Sequence, residues 1–95
     1  MTLDELYAII CDRRDNPRQG SYTQHLLQTG QEEIMKKVGE EAIEVIVAAQ
    51  SQGEQRLVEE SADLLYHLLV LWARENITPG QVMAELAQRH QAKSG

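Results

Sequence analysis

Residues 57–72 read Leu57-Val58-Glu59-Glu60-Ser61-Ala62-Asp63-Leu64-Leu65-Tyr66-His67-Leu68-Leu69-Val70-Leu71-Trp72. At about 100° per residue, an α-helix over this stretch lines up Asp63, His67 and, further on, Arg74 within about 60° of Glu60. Nearly all the remainder of the wheel is Leu, Val, Ala, Tyr and Trp. A helix that is apolar on almost every side is a buried helix, so its one polar line is not an ordinary solvated face. The chain is therefore expected to be all-α, with this helix at its centre.

Working outward, Gln31 to Gln52 reads as a second long helix, and Gly53 separates it from a partner running from about Glu54 to Asn76. With Glu44 set at zero, Glu33, Lys37, Glu40 and Glu41 fall within about 60° of it. Ile34, Met35, Val38, Ala42, Ile43, Val45, Ile46, Val47 and Ala49 occupy the flanks, with Lys36 the main polar exception. The two long helices are expected to pack antiparallel. A first helix from Asp4 to Asp15 carries Leu6, Tyr7, Ile9 and Ile10 and is stopped by Asn16-Pro17-Arg18-Gln19-Gly20. Ser21-Tyr22-Thr23-Gln24 has the form of a capping box opening a short helix to Thr29, closed by Gly30. Thr78-Pro79 starts a last helix to about Gln91, and Lys93-Ser94-Gly95 should fray. No strand pattern or internal repeat is present, so residues 1–95 read as one domain of about five helices.

Composition sets the outer limits. Aromatic residues are 4% of 95 and Phe is absent, so the core must be aliphatic. Cys11 is the only cysteine, which excludes a disulfide and a thiolate-rich zinc cluster. No apolar run reaches about 18 residues and no basic-apolar leader opens the chain, so no membrane partner and a cytoplasmic location are expected. The net charge of −6 comes without clustered cations, which argues against nucleic acid. A chain this short buries only about 60–65% of its unfolded surface, too little to cover so apolar a helix. A second copy would close the gap, giving a homodimer with a four-helix core around a two-fold axis.

Glu41, Glu44, Glu60 and Asp63 stand on the facing stripes of the long helices. Such stripes can be plain solvated surface, with Glu33 and Lys37 as an i,i+4 pair of about 0.2–0.5 kcal/mol, or a polar seam fixing register in an oligomer. Against these stands the excess of acids over nearby cations. Unpaired buried carboxylates cost several kcal/mol each, so they protonate or recruit a cation. An all-oxygen donor set suits Mg²⁺, with Mn²⁺ as the alternative. Mg²⁺ commonly completes its shell with substrate phosphates, polarises a phosphoryl oxygen and activates an attacking water. Hydrolysis of a nucleotide pyrophosphate bond is the matching reaction class.

The spacing Glu41-x-x-Glu44, fifteen residues, then Glu60-x-x-Asp63 resembles the E-x-x-E…E-x-x-D signature of the MazG-like, all-α nucleoside triphosphate pyrophosphohydrolases. Ser21-Tyr22-Thr23, Leu26 or Leu27 with Gly30, Lys36-Lys37-Val38-Gly39-Glu40-Glu41-Ala42 and Ala62-Asp63-Leu64-Leu65-Tyr66-His67-Leu68 resemble the phosphoribosyl-ATP pyrophosphohydrolases more narrowly, over roughly residues 3 to 90. The mild departure is Ser61, where relatives often carry Ala. The resemblance implies Mg²⁺-dependent hydrolysis of phosphoribosyl-ATP to phosphoribosyl-AMP and pyrophosphate, the second step of histidine biosynthesis. It also implies a dimer, in a form without the cyclohydrolase domain that some relatives carry. Glu41, Glu44, Glu60 and Asp63 would be the metal ligands. Glu40 would orient or deprotonate the attacking water. Lys37 would face a phosphate, its alternative being a plain salt bridge. Ser21, Tyr22 and Thr23 would touch substrate in addition to capping their helix. His67 would join them, unless it is a hydrogen-bonded core residue. Two other readings stay open: a house-cleaning enzyme for non-standard nucleotides, and a non-enzymatic dimerisation module with structural acids. The Ser21-Tyr22-Thr23 and Lys37-to-Glu41 text favours phosphoribosyl-ATP over the former.

Overall fold

The structure, a computed structural model, describes residues 1–92; the Lys93-Ser94-Gly95 tail expected to fray lies outside the described residues. Five helices follow one another: α1 (Leu3–Asp15), α2 (Tyr22–Thr29), α3 (Gln31–Ser51), α4 (Glu54–Arg74) and α5 (Pro79–Ala92). No strand occurs among the described residues. The central pair is α3 and α4, 21 residues each, packed along their lengths as an antiparallel hairpin. Gly53 makes the turn with φ of +88°, a conformation glycine adopts without steric cost. Helices α1 and α2 pack on α4, α2 also touches α3, and α5 rests on α1. None of the helices is long and apolar enough to cross a membrane.

Helix α4 stops at Arg74, two residues short of the expected Asn76, because Asn76 turns left-handed with φ of 59°. The Ile77 N–H then reaches back to the Trp72 carbonyl at 2.8 Å and the Asn76 N–H to the Ala73 carbonyl at 3.3 Å, a Schellman closure. Helix α1 locks this end. Arg14 Nη1 donates to the Ala73 carbonyl at 2.7 Å, and the Tyr7 hydroxyl donates to the Ile77 carbonyl at 2.6 Å. The capping box expected at α2 is only half made. Ser21 Oγ accepts from the Gln24 N–H at 3.2 Å, but the Ser21 N–H donates to the Arg18 carbonyl instead of the Gln24 side chain. The reciprocal box sits at α5, where the Thr78 N–H donates to Gln81 Oε1 at 2.8 Å and the Gln81 N–H to Thr78 Oγ1 at 3.2 Å.

The core is aliphatic, as the absence of Phe requires: Ile10, Leu26, Ile34, Leu69, Val70 and Ala73 are buried, with Trp72 and Tyr66 packed against them. It lies at the C-terminal half of α4. One chain leaves α4 bare on one side, the shortfall expected of so short a chain. Leu65 is 44% exposed and Val58 58%, while Ile43 and Ile46 on α3 are 62% and 64% exposed. Of the polar line, Glu60 and His67 are covered, each only 6% exposed, while Asp63 and Arg74 stay exposed. The physical reason is geometric, since α2 and α3 pack over Glu60 and His67 and the described residues supply no second layer for the opposite face.

Candidate active site

Glu60 and Asp63, three residues apart, leave α4 on one face. Glu41 stands on α3, and the antiparallel hairpin brings its side chain to the same place. One carboxylate oxygen from each of Glu41, Glu60 and Asp63 lies within 4.8 Å of the other two. The group runs from buried Glu60 through half-buried Glu41 to exposed Asp63, so it opens to solvent on one side. Three converging carboxylates with no nitrogen or sulfur donor fit a hard divalent cation such as Mg²⁺ or Mn²⁺. The fourth expected acid, Glu44, is exposed and stands outside this group, one helical step further along the same face of α3.

Cations pair with acids on both helices. Lys37 Nζ is 3.7 Å from Glu40 Oε2 and Lys36 Nζ is 4.0 Å from Glu40 Oε1, so Lys37 pairs with Glu40 and not with Glu33. Arg56, which the sequence reading passed over, donates from Nη2 to Glu60 Oε1 and from Nη1 to Glu59 Oε1. Its i,i+4 and i,i+3 spacing to these acids was the available signal. The hydrogen bond to Glu59 leads in holding the guanidinium above its ordinary value, with the Glu60 charge next. Hydrogen bonds from Gln55 and then Arg56 hold the Glu59 carboxyl below its ordinary value.

The α2 residues reach this centre through hydrogen bonds. His67 Nδ1 is 2.7 Å from the Asp63 carbonyl oxygen, an acceptor only, so Nδ1 carries the proton. In a neutral ring Nε2 is then an acceptor, and the Tyr22 hydroxyl donates to it at 3.0 Å. Thr23 Oγ1 bonds the Tyr66 hydroxyl, and the Tyr22 and Tyr66 rings stack at 6.1 Å. Burial, more than any neighbour, pushes the Tyr66 phenol above its ordinary value. His67 thus has both nitrogens engaged and fixes Tyr22 relative to Asp63. Tyr22 also lines a groove of about 470 Å³ with Gln19, Gly20, Ser21, Gln24, His25 and Gln28. Among the described residues no carboxylate, Lys or Arg lines it, and Gln24 Oε1 is buried without a partner. Nothing in the sequence singles out these glutamines, because an amide carries no spacing signature of its own.

Comparison with known proteins follows the same residues. The chain matches the phosphoribosyl-ATP pyrophosphohydrolase family over residues 3–90. It is 52% identical over 90 residues to the phosphoribosyl-ATP pyrophosphatase of Pelotomaculum thermopropionicum, covering 95% of this chain and 92% of that one. It is 54% identical over 87 residues to that of Sulfurisphaera tokodaii, covering 92% and 93%. The identity to the Listeria welshimeri protein of the same name is 49% over 87 residues, covering 92% and 84%. The similarity runs through the short α2 segment as well as both carboxylate-bearing helices, and the chain belongs to the phosphoribosyl-ATP pyrophosphohydrolase family.

Proposed function

We propose that this chain hydrolyses phosphoribosyl-ATP to phosphoribosyl-AMP and pyrophosphate, using Mg²⁺, as a cytoplasmic homodimer. The observation that carries the reading is the convergence of Glu41, Glu60 and Asp63 across the α3–α4 hairpin of a chain in this family. These three would hold the ion, and Glu44, at i+3 from Glu41, would have to turn inward to add a fourth oxygen. When bound, the ion offsets the charge of the triphosphate and makes phosphorus more electrophilic. Glu40 accepts the proton of the attacking water as its oxygen bonds to phosphorus. The bond between the α and β phosphates breaks and pyrophosphate leaves. Lys37, half-buried beside Glu40, supplies positive charge against a phosphate oxygen. Tyr22, held by His67, borders the groove, whose amide-rich lining suits the base and ribose of the substrate better than its phosphates.

The dimer reading rests on the bare face formed by Ile43, Ile46, Val58 and Leu65. Four large aliphatic side chains open to water on two adjoining long helices match the seam of a four-helix core. The test of the activity is a panel of phosphoribosyl-ATP, dUTP and dCTP with Mg²⁺, read by pyrophosphate release and repeated with EDTA. Release from phosphoribosyl-ATP that EDTA abolishes is expected. Turnover of dUTP or dCTP without phosphoribosyl-ATP would favour a house-cleaning enzyme, and no turnover at all a dimerisation module.

A further inference from the structure

We propose that Arg56 is a built-in counter-cation of the carboxylate group, competing with the divalent ion for Glu60 and giving it up to Glu59's side when the ion binds. The proposal rests on the divalent-ion reading given above. Glu60 is 6% exposed, and burying a carboxylate charge is costly unless a cation is hydrogen-bonded to it. Arg56 is that partner, from one helical turn earlier on α4. Lys36 and Lys37 on α3 are engaged with Glu40.

The two ends of the Arg56 contact are unequal. Glu60 is shared with Glu41 and Asp63, whereas Glu59 lies outside that group and is exposed, with 44% of its side chain open to water. The Arg56 side chain is itself 47% exposed, so its head is free to turn without disturbing the core. A divalent ion among Glu41, Glu60 and Asp63 would meet the guanidinium charge within a few ångströms, at about 332/(εr) kcal/mol per unit charge pair. The arginine keeps its Nη1 bond to Glu59 while releasing Nη2 from Glu60. It therefore steadies the acids when no ion is present and weakens the ion's hold when one is. Affinity for the metal is set by this exchange as well as by the ligands.

The test uses the full chain and Mn²⁺ alone, by calorimetric titration and by melting with and without EDTA. Arg56→Gln is expected to bind Mn²⁺ about two- to fivefold more tightly than wild type, the range of a part-exposed ion pair. In EDTA it should melt about 4–8 °C lower, because Glu60 loses its partner, and the gap should narrow with saturating Mn²⁺. Glu59→Gln, which leaves the buried carboxylate paired, is expected to bind Mn²⁺ more weakly, since the displaced arginine has nowhere to go. Equal or weaker Mn²⁺ binding by Arg56→Gln would overturn the proposal, making Arg56 an orienting group for Glu60. Should Arg56→Gln not fold, Glu59→Gln decides alone, and unchanged affinity there overturns it. Wild-type protein that binds no Mn²⁺ would overturn the metal reading itself, a result distinct from either variant's failure.

Discussion

Asp63→Asn separates a metal-holding acid from a structural one, because the two roles predict opposite changes in stability. The substitution keeps shape and removes one charge from three oxygens lying within 4.8 Å of one another. At about 4.8 Å, a like-charge pair costs about 0.9 kcal/mol at a dielectric constant of 80 and about 3.5 kcal/mol at 20. Asp63 is exposed, so the lower figure applies, and with the Glu60 charge offset by Arg56 the relief, mainly from Glu41, is about 1 kcal/mol. For a domain of this size about 1 kcal/mol moves Tm by about 4–8 °C. The variant should therefore melt higher than wild type in EDTA. It should also lose most of the Mg²⁺-induced rise in Tm, and its turnover of phosphoribosyl-ATP should fall by about 10²–10³ or more. The assay is differential scanning fluorimetry with and without Mg²⁺, alongside pyrophosphate release. A variant that melts lower in EDTA, or that keeps turnover within twofold at saturating Mg²⁺, would refute the reasoning.

Other substitutions test the remaining layers. Leu69→Ala empties a fully buried position and should cost about 2–5 kcal/mol in denaturant unfolding at fixed protein concentration; a loss below 1 kcal/mol would mean the core closes around the gap. Ile46→Glu places a charge on the bare face and should turn a dimer into a chain near 10.8 kDa in sedimentation equilibrium, whereas an unchanged mass would move the interface elsewhere. Tyr22→Phe removes the hydroxyl that donates to His67, costing about 0.5–1.5 kcal/mol and raising KM more than it lowers kcat; an unaltered KM would detach Tyr22 from the substrate. Burial raises the Tyr66 phenol above its unfolded value near 10.0, so its contribution is complete below that pH and is lost as pH rises through the higher folded value. Stability should thus fall above about pH 10, and Tyr66→Phe should flatten the fall in urea midpoints; parallel curves would exclude this origin.

Much of this was readable in the sequence because the periodicities are long and the breakers few. Gly53 alone divides two 21-residue helices, and Thr78-Pro79 opens α5 where expected. The ends were less legible: Asn76 looks helical in sequence, and only the pull of the Trp72 and Ala73 carbonyls shows it to be a left-handed stop. At the site, three of the four acids assigned to the ion gather, since helical spacing fixes their faces. Spacing does not fix which rotamer of an exposed side chain turns inward, and Glu44 shows the difference. The i,i+3 and i,i+4 spacing of Arg56 to Glu59 and Glu60 is legible in sequence, whereas the partnership of His67 with Tyr22 is not, since it joins residues 45 apart.

Helix α4 makes these observations one argument, because each of its sides has a different neighbour. Glu60 and Asp63 face α3, His67 faces α2 through Tyr22, and its terminal Ala73 carbonyl is held by Arg14 of α1. Val58 and Leu65 are left to whatever covers the bare face. The helix cannot rotate to improve one set of contacts without losing the others. Its two ends set the angle: the Gly53 turn at the start, and the Schellman closure pinned by Arg14 and Tyr7 at the finish. One residue inserted between Gly53 and Glu60 would turn everything that follows by about 100° relative to α3. The apolar content of the helix would be untouched, yet Asp63 and Glu60 would no longer meet Glu41. Composition accounts for the hairpin's stability, and the registration of its two halves accounts for the site.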